Sequence, residues 1–135
     1  MAEPHRTRDA LVVYLERYDR LVEVGIGRRT DVAVALAERG VSVTATDVRP
    51  RPVPDPVRFV EDDVVDPDLD VYEGAEAIYA LNLPSELHRP TRAVARQVEA
   101  SFLFTTLGFD QPTVPIDRVR IPGETVYVAV DDRGR

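Results

Sequence analysis

The chain contains no cysteine, no tryptophan and no lysine, and only one methionine. Without cysteine, disulfides and thiolate metal sites are excluded, and with only His5 and His88 to offer imidazole, no zinc site is expected. No run approaches the ~18 apolar residues of a membrane span. The first residues, Met-Ala-Glu-Pro-His-Arg, carry no apolar signal core, so a cytoplasmic protein is expected. All 17 basic residues are arginine; the acids are 14 aspartates and 10 glutamates, for a net charge of −7. An acidic, lysine-free, aspartate-rich surface suits a high-salt cytoplasm, where salt screens its self-repulsion, and points to a halophilic archaeon. The same balance argues against non-specific nucleic-acid binding, although a local arginine cluster can still contact a phosphate.

What is present is enough for one compact domain, residues 1–135, with 44% hydrophobic residues to build a core. The chain is organised around residues 21–47, which read as strand, glycine loop, helix, strand and acid. Arg20 to Val24 is an apolar strand; Gly25-Ile-Gly27 allows close backbone approach and a tight turn. Thr30 or Asp31 can cap a helix over residues 31–39, and Gly40 stops it. Val41 to Thr46 is a second strand that ends at Asp47.

Before this unit, residues 9–18 carry Leu11, Tyr14, Leu15 and Tyr18 at helical spacing, an amphipathic helix covering one sheet face. After it, four prolines between Pro50 and Pro56 make a stiff surface loop. A third strand over residues 57–60 ends at Glu61-Asp-Asp63. A short helix is expected from Asp66-Pro67 to Tyr72, a fourth, nearly all-apolar strand over 75–81, and a helix from Pro90 to Ala100. A fifth strand covers 102–107. Residues 117–121 and 125–130 then form a hairpin through Pro122-Gly. The fold class is therefore α/β: a mostly parallel, doubly wound, three-layer Rossmann-like sheet with an antiparallel C-terminal hairpin.

In such sheets the ligand lies beyond the carboxyl ends of the strands, where strand order reverses. The polar residues collect there: Gly25 and Gly27 after the first strand, Asp47 after the second, Asp62 and Asp63 after the third, Asn82 after the fourth. Asp47 follows Gly27 by 20 residues, the spacing at which a carboxylate meets ribose hydroxyls. A small-molecule ligand of nucleotide type is implied.

Glu23-Val-Gly-Ile-Gly27 resembles the first motif of class I S-adenosylmethionine (SAM) methyltransferases, acid-x-Gly-x-Gly. In that resemblance Glu23, Gly25 and Gly27 form the donor loop, Asp47 is the ribose acid, and Asp62 or Asp63 is the acid that holds the adenine amino group. Asn82-Leu-Pro-Ser stands where some of these enzymes carry Asn-Pro-Pro-aromatic, which makes Asn82 the catalytic candidate by orienting an acceptor amine. The whole chain further resembles a small archaeal family, uncharacterised protein family 0146, on Glu23-Val-Gly-Ile-Gly-Arg-Arg-Thr, Ala-Thr-Asp47, Ile78-Tyr-Ala-Leu and Pro84-Ser-Glu-Leu87. The resemblance implies a SAM-binding, methyltransferase-like protein and, if it is an enzyme, a SAM-dependent methyltransferase. No activity comes with the family itself.

Glu23 favours SAM over NAD, because a carboxylate suits a sulfonium and an ammonium. Arg28 and Arg29 beside a helix N-terminus suit an anion instead, unless both point outward and pair with Glu23, Asp31 or surface acids. The alternatives are a non-catalytic module binding NAD or another nucleotide, with Arg28 and Arg29 on its phosphate, and a partner subunit of a larger enzyme. Arg89, Arg92 and Arg96 fall on one helix face. A solvated, salt-bridged face is the default for them, and an RNA or phosphate contact is the alternative.

Overall fold

The structure is a computed structural model and describes residues 4–131. Its elements in order are α1 (Pro4–Leu15), β1 (Arg20–Val24), α2 (Asp31–Glu38), β2 (Ser42–Asp47), β3 (Arg58–Glu61), β4 (Ala77–Ala80), α3 (His88–Gln97), β5 (Ser101–Phe104), β6 (Ile116–Ile121) and β7 (Glu124–Ala129). Seven strands form one sheet in the order β3-β2-β1-β4-β5-β7-β6. β1 to β5 run parallel, β7 runs antiparallel to β5, and β6 pairs antiparallel with β7. The order reverses between β1 and β4, which puts the topological switch point beside the glycine loop.

Strand alternation sends successive side chains to opposite layers. On one side Leu21, Tyr79 and Leu103 pack with Leu11 and Leu15 of α1 and Val32 and Leu36 of α2. On the other, Val22, Ile78, Phe102 and Phe104 pack with Val94 and Ala95 of α3 and with Tyr72. A fully buried side chain of Leu36's size contributes about 2 kcal/mol. Glu23 shares the face of Leu21, so the chain turns a carboxyl into the α1–α2 layer. Among the described residues no helix is long and apolar enough to cross a membrane.

The parallel core follows the sequence expectation closely, and the departures have local causes. α1 begins at Pro4 and ends at Leu15, so Tyr18 lies beyond it, although both Tyr14 and Tyr18 pack on the core. The helix expected after Asp66-Pro67 shrinks to one 3₁₀ turn, Leu69–Val71. There the Asp68 carboxylate accepts the Asp70 N–H and offers the backbone an alternative to a longer helix. α3 starts at His88, after a 3₁₀ turn at Ser85–Leu87, so Pro90 falls in the first turn, where no N–H is needed. Its buried stripe is His88, Thr91, Val94 and Ala95, while Ala93 and Gln97 are exposed. β5 stops at Phe104, and the apolar run beyond it leaves the sheet with Leu107 exposed.

Candidate functional site at the carboxyl edge

β1 ends at Val24 and the backbone turns left-handed twice, with φ of 70° at Gly25 and 60° at Gly27. A Cβ at Gly25 would meet nothing within 4 Å. The glycine there answers to backbone sign, and the space beside it is open. Ile26 is buried and its N–H donates to the Thr46 carbonyl at 3.0 Å, tying the loop to β2. The Gly27 N–H donates to Asp47 Oδ2 at 2.8 Å, and the Arg49 N–H to Asp47 Oδ1 at 3.0 Å. Arg51 lies over the same carboxylate, its Nε 3.4 Å from Oδ2. Three of the expected residues, Gly25, Gly27 and Asp47, are therefore brought together at the carboxyl edge of the sheet, where Asp47 is bonded to the glycine loop.

Glu23 lies beneath the loop and is only 1% exposed. Tyr79, its register partner on β4, donates a 2.6 Å hydrogen bond to Glu23 Oε1. Burial pushes the Glu23 carboxyl up to about 8, against the opposing pull of the Tyr79 hydroxyl and the Arg29 guanidinium. Burial and the adjoining Glu23 carboxyl push the Tyr79 phenol well above its ordinary range. Tyr79 was not singled out from the sequence. Its signal was a lone hydroxyl inside the apolar run Ala77–Leu81.

The two arginines after the loop part company. Arg28 is exposed, whereas Arg29 is half-buried and pairs with Asp31 at 3.2 Å. Thr30 stands at the N-cap position of α2 without a side-chain capping bond, and Asp31 Oδ1 instead lies 2.8 Å from the Val32 nitrogen as acceptor. A carboxylate thus sits at the positive end of α2. From the hairpin, Glu124 approaches the same region: burial pushes its carboxyl up, and Arg29 is among the charges that oppose the shift.

The acids after β3 separate clearly. Asp62 accepts the Asp68 N–H at 2.9 Å with one oxygen and the Tyr72 hydroxyl at 2.6 Å with the other, so it braces its own loop. Asp63 is exposed and accepts the Val65 N–H through Oδ1. After β4, Asn82 is exposed with φ 56°, a left-handed conformation that asparagine tolerates. Its N–H donates to Thr105 Oγ1 at 2.8 Å, which fixes it against the end of β5. His88 is fully buried: Nε2 lies 3.0 Å from the Leu83 carbonyl and Nδ1 accepts the Thr113 N–H at 3.1 Å, so both ring nitrogens are spent on structure.

Residues 8–131 match the model of an uncharacterised protein family, UPF0146. A UPF0146 protein of the halophilic archaeon Halobacterium salinarum is 51% identical over 118 residues, spanning 87% of this chain and 92% of that one. Among solved structures, an RNA methyltransferase from Salinibacter ruber in complex with S-adenosylhomocysteine is similar at 17% identity. Its TM-score is 0.67, over 96% of this chain and 92% of that one. A magnesium protoporphyrin IX methyltransferase from Synechocystis with bound SAM has a TM-score of 0.63 at 11% identity, over 93% and 80% of the two chains. At these identities the structural likenesses establish the fold.

Proposed function

The chain belongs to the UPF0146 family, and from that premise and its loop geometry we propose that it binds SAM at Gly25, Gly27 and Asp47 and acts as a minimal methyltransferase. The observation that carries this reading is the Gly27–Asp47 hydrogen bond. It holds the Asp47 carboxylate at the end of β2 against the glycine loop, at the switch point of the sheet. The residues fit a SAM-type ligand. Two left-handed glycines put no side chain beside the loop, the Asp47 carboxylate, held by the Gly27 and Arg49 N–H groups, is the acid for ribose hydroxyls, and Glu23 lies below as a carboxyl for a cationic group. Asp63, exposed where Asp62 is not, takes the adenine side.

When bound, SAM supplies a methyl group on a sulfonium, and its transfer to an acceptor nucleophile leaves S-adenosylhomocysteine. The chain's own task is to bind and orient. Asn82, fixed by Thr105, presents its amide beside the switch point, where an acceptor is to be held; such positioning is what methyl transfer requires most. The match to the Salinibacter ruber enzyme over nearly the full length of both chains supports a core that works without an added substrate domain.

The phosphate-binding alternative on Arg28 and Arg29 loses ground to one observation. The Asp31 carboxylate occupies the α2 N-terminus and pairs Arg29, so the place a phosphate needs carries negative charge. Calorimetric titration of the folded protein with SAM, S-adenosylhomocysteine, NAD and ADP decides. Saturable binding of the first two, weakened at least tenfold in Asp47→Ala, is expected. No heat from either SAM-type ligand, or tighter binding of ADP lost in Arg28→Ala, overturns the reading in favour of a nucleotide module.

A further inference from the structure

We propose that Arg51 is a gate on the ribose site: its guanidinium closes over Asp47, and a ligand with a vicinal diol binds as that side chain turns away. The proposal rests on the reading of Asp47 as the ribose acid, and its test separates the two.

The Asp47 carboxylate is held, and it is also covered. Its side chain is only 9% exposed. Backbone donors already occupy both oxygens, the Gly27 N–H on Oδ2 and the Arg49 N–H on Oδ1. An ionised carboxyl has roughly four lone-pair sites, so two remain, one for each hydroxyl of a ribose. Arg51 competes for them: its Nε lies 3.4 Å from Oδ2, the same oxygen that Gly27 binds.

The contact is of a kind that opens. Arg51 Nε is buried and has no hydrogen-bond acceptor, so its N–H is not aimed at the carboxylate beside it. A buried donor without an acceptor is unfavourable, and a partly exposed ion pair contributes little. Turning outward relieves the first and gives up little of the second.

The side chain moves while the loop stays. Arg51 stands between Pro50 and Pro52, whose rings restrict the backbone on both sides. Beyond them Val53 packs on the core, and the Pro54 carbonyl accepts the Val57 N–H at 3.1 Å. The other arginine of this loop has a different task. Arg49 gives Asp47 its backbone N–H and leaves its side chain exposed.

A gate closed by an ion pair ties ligand binding to salt, since a rise in ionic strength screens the pair. The apparent dissociation constant is the intrinsic one divided by the open fraction, so whatever opens the gate tightens binding.

The test is calorimetric titration with S-adenosylhomocysteine, whose ammonium and carboxylate balance. Wild type, Arg51→Ala, Arg51→Gln and Arg49→Ala are compared at the lowest KCl concentration that keeps all four folded by circular dichroism. Both Arg51 variants are expected to bind about threefold tighter than wild type or better, and Arg49→Ala to match wild type. In concentrated KCl the wild type is expected to approach the affinity of Arg51→Ala. Binding by the Arg51 variants alone supports the gate in its strictest form. Weaker binding in Arg51→Ala makes Arg51 a ligand contact and overturns the gate. An unchanged affinity in both Arg51 variants, or equal tightening in Arg49→Ala, overturns it too, with the SAM reading intact. Absence of binding in all four proteins sinks the SAM reading itself, and the gate with it.

Discussion

Tyr79 donates a 2.6 Å hydrogen bond to Glu23 directly across the β1–β4 pair, at the point where the strand order of the sheet reverses. A buried acid under the glycine loop is thereby held by a neutral donor, with the charge of the Arg29 guanidinium also favouring its ionised form. Three consequences follow for its titration, its partner and its ligand.

The titration of Glu23 makes stability depend on pH. Its carboxyl is raised from the ordinary 4.5 to about 8 in the fold, so the folded chain keeps a proton that the unfolded chain releases. The stabilisation is fully present below pH 4.5 and is lost as pH rises to about 8. Thermal melts at fixed KCl are expected to show a melting temperature falling across this window, and Glu23→Gln is expected to remove that component. An unchanged slope in Glu23→Gln contradicts it.

Removing the Tyr79 hydroxyl strands a buried carboxyl oxygen. Tyr79→Phe is expected to cost about 1–3 kcal/mol in urea unfolding. It is also expected to move the Glu23 midpoint upward, since the hydroxyl now pulls that carboxyl down. A stability change with no movement of the midpoint speaks against the pairing.

A cationic ligand above a protonated Glu23 favours its ionised form. SAM binding near neutral pH is therefore expected to release a proton and to tighten as pH rises toward 8. Titrations in two buffers of different ionisation enthalpy measure the release directly, and Glu23→Gln is expected to abolish it.

His88 serves as a staple and not as a base. With one ring nitrogen on the Leu83 carbonyl and the other on the Thr113 N–H, His88→Ala is expected to destabilise the fold by roughly 2–4 kcal/mol. Affinity for S-adenosylhomocysteine in the folded fraction is expected to remain unchanged.

The sequence already carried the parallel core. Apolar runs, Gly40 and the prolines marked β1, α2, β2, β4 and the hairpin, because period and punctuation are local signals. The convergence of Gly25, Gly27 and Asp47 was legible from spacing alone. What was not legible lies in contacts between distant positions. The difference between Asp62 and Asp63 depends on Tyr72, ten residues on, reaching back to Asp62. Pairing of Arg28 and Arg29 with Asp31 or other acids was foreseen, but not that Asp31 would take Arg29. Tyr79 was given no role of its own because nothing local marks the residue that β4 sets opposite Glu23.

Difference electron density from crystals soaked in S-adenosylhomocysteine tests the methyl-donor site most directly. Density lying across Gly25 and Gly27, with the ribose against Asp47 and the adenine toward Asp63, is the expected result. Density confined to another part of the molecule, or none at saturating ligand, contradicts it.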